Sequence, residues 1–249
     1  MVLKTVSFNI RFGDDAGGHS VAERAPRLCR AISDRTPDLI GIQEYTPVWE
    51  DHFKRLFLPG YEMFNKYRAT SGWIEGGPVL WRRGAFELLD RGYFWYSDTP
   101  DTESGGWDVY GHNRICVYVR LKHTGSGAEF VFMNTHFGFG EENQIKSAKL
   151  LKSRVKAFSD LPCFITGDFN AAPDSKAYAV MTSFMTDANG SDLTSVTYHG
   201  YDPTSPDCSH IDYCFVNGKV TPLKAQIITD SYNGKFPSDH YGLYTELKI

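Results

Sequence analysis

The segment Phe164–Ser175, FITGDFNAAPDS, decides how the rest of the chain is interpreted. An apolar run leads into a tight turn, and Asp168 and Asn170 stand at the point where the run stops. A turn requires only a small polar residue. The turn alone therefore does not explain why both a carboxylate and an amide stand at this strand end. Other segments of the chain with the same arrangement supply a reason.

Short apolar segments with the composition of β-strands recur along the chain, and several carry a polar group at the same place. These groups are Asn9 in SFNI, Glu44 in LIGIQE, His136 in FMNTHF, Asp168 with Asn170 in ITGDFN, and Asp239 with His240 in PSDHYGL, just before the final strand. Strands aligned in a sheet bring such ends together. Each residue alone has a simpler explanation, because strand-end Asp and Asn close turns and a lone His is usually a packing residue.

The residue types taken jointly favour a catalytic site. Glu44 and Asp239 offer hard oxygen donors of the kind that Mg²⁺ prefers, and no Cys–His spacing typical of zinc occurs. His240 can hold a proton near neutral pH, and Asp212 in HIDYCFV could accept from its other ring nitrogen. The carboxylate and amide of GDFN would face the same phosphate. This set of groups is typical of metal-assisted phosphoester hydrolysis.

The ordered set SFNI, GIQE, NTHF, GDFN, HIDY and SDHYGL, spanning Asn9 to His240, resembles the endonuclease/exonuclease/phosphatase superfamily. Its members include pancreatic-type deoxyribonucleases, apurinic-site endonucleases, deadenylases, sphingomyelinases, inositol-polyphosphate 5-phosphatases and bacterial sugar phosphatases. The resemblance implies an α/β fold, a four-layer α/β/β/α sandwich of two packed mixed sheets with outer helices. It implies one catalytic domain over residues 1–249, with the site at one end of the paired sheets.

The resemblance also implies roles for individual residues. Glu44 would be the principal ligand of Mg²⁺, or of Mn²⁺ as its substitute, helped by Asn9 and Asp239. Asp212 and His240 would form an acid–histidine pair. The remaining groups would contact phosphate, water or the leaving group, and they are His136, Asp168, Asn170 and Arg114, the last of which is alternatively an ordinary surface arginine.

Two segments separate this chain from some relatives. Apurinic-site endonucleases often read Asn-x-Asp in the first motif, whereas this chain reads Asn9-Ile10-Arg11 and lacks that second acid. The combination of NIRFG with GYFWYSDTPDTESGGWD is most similar to compact bacterial single-domain members.

Composition limits the classes of partner. The 249 residues carry a formal charge of −4 and a pI near 6.1, without the basic footprint expected of a nucleic-acid binder. Five cysteines, none in a C-x-x-C pair, predict buried free thiols. The N-terminal segment alternates like a strand and contains no apolar stretch long enough for a signal or a membrane span. We expect a cytoplasmic protein without membrane insertion or an obligate protein partner, with a secreted form whose signal has been removed as the alternative.

Two helices and one loop complete the predicted organisation. Apolar residues at three- and four-residue steps predict a helix over Glu141 to Phe158, and a second is expected over Val21 to Ser33, beginning or bending near Pro26. The turn-rich stretch 97–113 reads as a long surface loop with four acids. Its Trp107 and Tyr110 could stack on a sugar or a single base; the alternative is a hairpin end without a role.

Three functions compete at this point. The first is a Mg²⁺-dependent phosphohydrolase of a small or short phosphoester, either a small molecule or a short nucleic acid. The second is a nuclease acting along DNA or RNA, which would require Lys- and Arg-rich strips beside the site. The third is a binding protein that has lost catalysis, and the presence of every predicted site residue argues against it.

Overall fold

The first of two sheets is built from both ends of the sequence. The computed structural model describes residues 1–190 and 194–249. Within these ranges, six strands form the first sheet in the order β11-β12-β1-β2-β4-β3. Their bounds are β1 Val2–Asn9, β2 Leu39–Gln43, β3 Tyr61–Phe64, β4 Val79–Arg82, β11 Thr221–Ile228 and β12 Gly242–Lys248.

The second sheet comes from the middle of the sequence. Its described strands follow the order β5-β6-β7-β8-β10-β9. Their bounds are β5 Phe86–Trp95, β6 Ile115–His123, β7 Glu129–His136, β8 Cys163–Asp168, β9 Thr186–Asp187 and β10 Asp212–Val216. The second sheet is therefore inserted, as one continuous stretch of chain, between two parts of the first.

Helices cover the outer face of each sheet. The α-helices of the described ranges are α1 Val21–Ser33, α2 Glu50–Leu56, α3 Glu141–Val155 and α4 Lys176–Thr182, and 3-10 turns occupy Pro47–Trp49 and Lys156–Phe158. Helix α1 begins with a capping box, because Ser20 and Glu23 satisfy each other's backbone N–H groups. The predicted bounds of α1 are confirmed, and Pro26 lies inside the helix. The predicted helix from Glu141 ends at Val155 and continues as the 3-10 turn.

Three apolar clusters separate the layers. Phe132 and Phe164 stack at 5.2 Å in the cluster between the sheets. Leu28 of α1 packs with Ile40 on the outer side of the first sheet, and Leu151 of α3 packs with Ile165 on the outer side of the second. Three stacked cores require four layers, so the predicted α/β/β/α sandwich is confirmed.

The pairing of the central strands brings the polar strand ends to one edge. Strands β1 and β2 are parallel, with Asn9 opposite Gln43. Strands β7 and β8 are also parallel, with His136 opposite Asp168. Strand β10 runs antiparallel to β8 and begins at this same edge, with Asp212 opposite Asp168. The parallel strands end at the edge of the sheets where the antiparallel strand β10 begins. The predicted site residues are therefore brought together at this edge.

Two features of the chain as a whole concern its cysteines and the composition of its helices. All five cysteines are free thiols, as predicted, but burial holds only for Cys116, Cys163 and Cys214, whereas Cys29 and Cys208 are partly exposed. Among the helices in the described ranges, none combines the length and the apolar composition that crossing a bilayer requires.

Candidate active site

A cavity of about 370 Å³ opens at the edge where the strand ends meet. Its walls contain residues from both sheets and from the loops that follow them. They are Arg11, Glu44, His136, Phe139, Asp168, Asn170, Tyr198, Asp207, Ser209, Ile211, Asp239 and His240. Six of the residues predicted from the sequence thus share one cavity: Glu44, His136, Asp168, Asn170, Asp239 and His240.

Asp168 uses its two carboxylate oxygens for different tasks. Oδ1 accepts the backbone N–H of Asn170 at 2.8 Å and closes the turn. Oδ2 accepts from the Asn9 amide at 3.0 Å and lies 3.5 Å from His136 Nε2. Burial, and next the charge of Asp212, raise the pKa of Asp168 to about 7. The strand end in FITGDFN therefore provides a turn and a carboxylate that can exchange a proton near neutral pH.

Left-handed backbone conformations present several of these side chains to the cavity. Arg11, Glu44 and Asn170 have φ values of 59°, 62° and 48°. Residues other than glycine rarely adopt this region, which costs of order 1 kcal/mol each. Strain that collects at one cavity is typical of functional sites.

Asp212 orients His240 from the side away from the cavity. The His240 Nδ1–H donates to Asp212 Oδ2 at 2.9 Å, and both side chains are buried. Burial alone would lower the pKa of His240, but the carboxylates of Asp212, Asp239 and Asp168 reverse that effect and raise it to about 10. His240 is therefore an imidazolium at neutral pH. Its Nε2 lies 3.8 Å from Asp168 Oδ2.

Glu75, which sequence reasoning missed, orients the second histidine. His136 Nδ1 lies 3.2 Å from Glu75 Oε1, and Arg68 forms a buried ion pair with the same carboxylate at 3.2 Å. Burial, and next the charge of Arg114, lower the pKa of His136 to about 4. His136 is thus neutral where His240 is charged, and the cavity contains two imidazoles in opposite protonation states.

The carboxylates of Glu44 and Asp239 fit a hard divalent cation. Desolvation, and next the charges of Glu75 and Asp239, raise the pKa of Glu44 even though Arg11 Nε lies 3.8 Å from Asp239 Oδ2, so these acids still repel one another. Glu44 Oε1 accepts from Asn9 Nδ2 at 3.0 Å and Oε2 accepts the Phe12 N–H at 2.8 Å. Each oxygen has a second lone pair available for a cation. Oxygen donors of this kind suit Mg²⁺ or Mn²⁺.

Asn9 is fully buried between the two halves of the site. Its amide nitrogen donates to both Glu44 and Asp168 at 3.0 Å, and its oxygen accepts the Arg11 N–H at 3.1 Å. In this arrangement the amide nitrogen faces the carboxylates, so Asn9 fixes the spacing between the two acids.

A second group of potential metal ligands includes two residues of the same cavity. In the described part of the chain, Asp168, Asp212 and His240 are the residues whose ligand atoms cluster within 4.8 Å of one another. His240 already pairs with Asp212 and carries a proton at neutral pH. A metal ion would have to displace that proton, so the Glu44 and Asp239 side of the cavity is the better cation site.

Arg24 holds in place the loop that follows Asn9 and contains Arg11. Its guanidinium is fully buried and donates to the backbone carbonyls of Ile10, Gly13 and His19. Carbonyls that would otherwise be unpaired in this loop are thereby satisfied. The following segment adds a bidentate pair from Arg11 to Asp15 at 2.9 and 3.2 Å, which keeps the Arg11 guanidinium at the cavity wall.

The three predicted substrate-binding residues occupy different positions. Arg114 is buried, donates to Asp108 at 3.3 Å and does not line the cavity. Trp107 packs against the core under α3, with Lys146 Nζ 5.7 Å from its ring, so it also lies outside the cavity. Tyr110 is 70% exposed, and its ring is 5.5 Å from Phe139 at the cavity mouth. Only Tyr110 of the three is presented toward the site opening.

Comparison with known proteins identifies related chains. Residues 6–240 match the family model described as the Endonuclease/Exonuclease/phosphatase family. The uncharacterized protein L388 of Acanthamoeba polyphaga mimivirus is 28% identical over 182 residues, which is 68% of this chain and 67% of that protein.

Two solved structures illustrate the range of relatives. The mannosyl-6-phosphatase Bt3783 of Bacteroides thetaiotaomicron superposes with a TM-score of 0.90 at 28% identity, covering 99% of this chain and 100% of that one. The human nocturnin catalytic domain superposes with a TM-score of 0.76 at 19% identity, covering 99% of this chain and 94% of that one. At that identity, the second similarity concerns the fold alone.

Proposed function

Because the chain belongs to the endonuclease/exonuclease/phosphatase family, whose members hydrolyse phosphoesters, we propose that it is a Mg²⁺-dependent hydrolase of a small or short phosphoester. One observation carries the proposal. A carboxylate with a pKa near 7, an imidazolium and a pair of mutually repelling acids face one cavity. The carboxylate of Asp168 can accept a proton, the imidazolium of His240 can bind an anion, and the acids Glu44 and Asp239 can hold a divalent cation.

We assign Glu44 and Asp239 to the metal, with Asn9 holding Glu44 in position. Bound there, Mg²⁺ would supply Lewis-acid polarisation of a phosphate oxygen. The charged His240, oriented by Asp212, donates from Nε2 to the phosphate and stabilises negative charge that develops on it.

Asp168 is the proposed acceptor of a proton from the attacking water, because its pKa of about 7 suits a general base near neutral pH. Asn170 donates from its side-chain amide to the phosphate. His136 donates its Nδ1–H to Glu75 and, being neutral, presents the lone pair of Nε2 to the cavity, where it can accept a hydrogen bond from the hydroxyl of the leaving group.

The size and charge of the cavity support a small substrate. A volume of about 370 Å³ is at the small end of ligand sites, and Asp207 adds an acid to its rim. The phosphatase Bt3783, whose name describes a sugar phosphate as substrate, spans the same fold from end to end. A long polyanion would require a basic track, and the chain carries 26 basic against 30 acidic residues.

One panel of substrates tests the proposal. Phosphate release from sugar phosphates, inositol phosphates and nucleotides is measured beside cleavage of labelled single- and double-stranded nucleic acid, each with Mg²⁺ and with chelator. We expect Mg²⁺-dependent turnover of a small ester and poor cleavage of long duplexes. Efficient duplex cleavage would replace the proposal by the nuclease function, and no turnover of any ester by a metal-loaded, folded protein would favour a binding protein.

A further inference from the structure

Five aromatic rings form a connected row that reaches the cavity at Phe139, and we call them the ring wall: Phe12, Trp73, His112, Tyr110 and Phe139. Ring centroids follow one another at 4.6 Å from Phe12 to Trp73, 6.2 Å to His112, 6.2 Å to Tyr110 and 5.5 Å to Phe139. The rings come from four separate segments of the chain. Phe139 itself belongs to the cavity lining, so the ring wall is continuous with the proposed catalytic cavity.

The ring wall is exposed although aromatic side chains are usually covered. Trp73, Tyr110 and Phe139 are 47%, 70% and 41% exposed. Neighbouring Val109 is 65% exposed and extends the same apolar surface. Contiguous exposed apolar surface on a folded domain commonly marks a binding site.

Hydrogen bonds to acidic side chains fix the ring wall in place. The Phe12 N–H donates to Glu44 at 2.8 Å, and Trp73 Nε1–H donates to Glu75 at 3.1 Å. The backbone N–H groups of Tyr110 and Phe139 donate to the two oxygens of Asp108, at 2.8 and 2.9 Å. Two of these acids also serve the catalytic cavity, so the rings are held in register with it. A surface fixed in this way is pre-organised for a ligand.

The tilt of the rings favours a puckered ligand over a flat one. Successive ring planes are inclined by 69°, 32°, 41° and 76°. A planar base stacks on a parallel face, so it cannot lie flat against two of these rings at once, whereas the C–H groups of a saturated ring can contact rings of different tilt.

Charge around the cavity points in the same direction. Platforms that stack the bases of single strands are combined with a positively charged groove. The cavity lining also includes Tyr198, Asp207 and Ser209, and its arginine, Arg11, is paired with Asp15. Burial, and next the charge of Arg68, lower the pKa of His112. The two guanidinium groups that lie against the ring wall, Arg11 at 4.4 Å from Phe12 and Arg114 at 5.4 Å from Phe139, are each paired with an aspartate, Asp15 and Asp108. Carboxylate and hydroxyl oxygens are acceptors for the hydroxyl groups of an uncharged polyol.

We propose that the ring wall, with Asp207 and Ser209 of the cavity lining, binds the uncharged ring of a sugar phosphate whose phosphate occupies the catalytic cavity. This inference rests on the proposed function and names its substrate class. Apolar contact with the ring wall selects a ring over an open chain, and the carboxylate of Asp207 in the cavity lining disfavours a second phosphate. The ring wall is therefore a specificity site of the same enzyme.

The test compares a ring-bearing ester with one that lacks a ring. Values of kcat/KM are measured for a hexose 6-phosphate, for glycerol 1-phosphate and for a nucleoside 5′-monophosphate. Tyr110→Ala and Trp73→Ala should lower the ratio of the hexose phosphate to glycerol phosphate by about tenfold, because each removes aromatic contact. Trp73→Phe keeps a ring without the bond to Glu75 and should restore most of that ratio.

The control is Tyr93→Ala, which removes a tyrosine that is 39% exposed on β5, away from the cavity lining. It should change neither rate. Equal losses for hexose phosphate and glycerol phosphate in Tyr110→Ala would overturn the inference. So would a nucleotide that is preferred over the hexose phosphate and more sensitive to the ring-wall variants, because the occupant would then be a base.

A binding measurement separates this inference from the proposed function. Calorimetric titration of the hexose 6-phosphate in chelator reports binding without turnover. Binding to the wild type that Tyr110→Ala weakens about tenfold supports the ring wall even where no ester is hydrolysed. Binding that Tyr110→Ala leaves intact refutes the ring wall even where hydrolysis is efficient.

Discussion

Replacement of Asp212 by Asn should remove a pH dependence of stability that the His240 proton creates. The ordinary pKa of a histidine, 6.5, rises to about 10 in the folded protein, where burial opposes and the carboxylates led by Asp212 favour the charge. A raised folded pKa gives a contribution that is complete below pH 6.5 and lost as the pH rises toward 10. One proton is worth about 1.4 kcal/mol per pH unit. The metal-free wild type should thus lose about 2 kcal/mol between pH 7 and 8.5.

The assay is urea unfolding in excess chelator at constant ionic strength, at pH 7, 7.5, 8 and 8.5. Toward pH 8.5, where unfolded thiols begin to ionise, Cys116, Cys163 and Cys214, whose pKa values burial raises, add a smaller loss of the same sign that is common to the wild type and both variants. Asp212→Asn keeps a hydrogen-bond acceptor for His240 but removes the charge, so most of the slope should disappear. His240→Gln removes the titrating group and should likewise leave only the smaller slope that the thiols cause.

The result that refutes the reasoning is a His240→Gln variant that keeps the full wild-type slope. The extra proton of the folded state would then lie on another group, and Asp168 would be the first to test because its pKa is also raised, to about 7. A flat wild-type profile would show that His240 is neutral in the metal-free protein, which removes the imidazolium from the proposed mechanism.

Three further predictions concern activity. Glu44→Gln should weaken Mg²⁺ binding at least tenfold, measured by calorimetry, while the fold is retained. The wild type inactivated by chelator should regain activity when Mg²⁺ or Mn²⁺ is added. Full activity in excess chelator would contradict the metal assignment. His240→Ala and Asp212→Asn should each lower kcat about a hundredfold, and the double variant far less than the product, since paired groups act as a unit; multiplicative losses would mean independent roles. The KM of a small ester should change little from low to physiological salt, whereas a steep loss on long duplex DNA would favour a nuclease.

The strand-end residues could be predicted because they interrupt strong local patterns. Asn9, Glu44, His136 and Asp168 each follow an apolar run, and parallel pairing places such ends together. The edge strand β11 could not be found in this way, because most of its side chains are exposed or half-buried and it contains Pro222. Helix α2 buries only Phe53, so it has no apolar stripe to detect.

Glu75 and the ring wall depend on tertiary structure instead. Glu75 lies between Ile74 and two glycines, where nothing local distinguishes it from a turn residue. Its partner His136 is 61 residues away. Trp107 and Tyr110 share one irregular loop, yet Trp107 turns toward the core and Tyr110 toward solvent. Sequence identifies aromatic residues in a loop but does not say which way each one faces.

The position of β12 has a consequence for biosynthesis. This strand lies between β11 and β1, and its pairing with β1 joins Val2 to Lys248. While the ribosome makes the intervening residues, one edge of β1 lacks its native neighbour and is open to pairing with other chains. Asp239 and His240 directly precede β12, so they emerge at the same late stage. A chain that terminates before Asp239 would therefore leave one edge of β1 unpaired and would lack two residues of the site. Chaperones and proteases would act on such a chain.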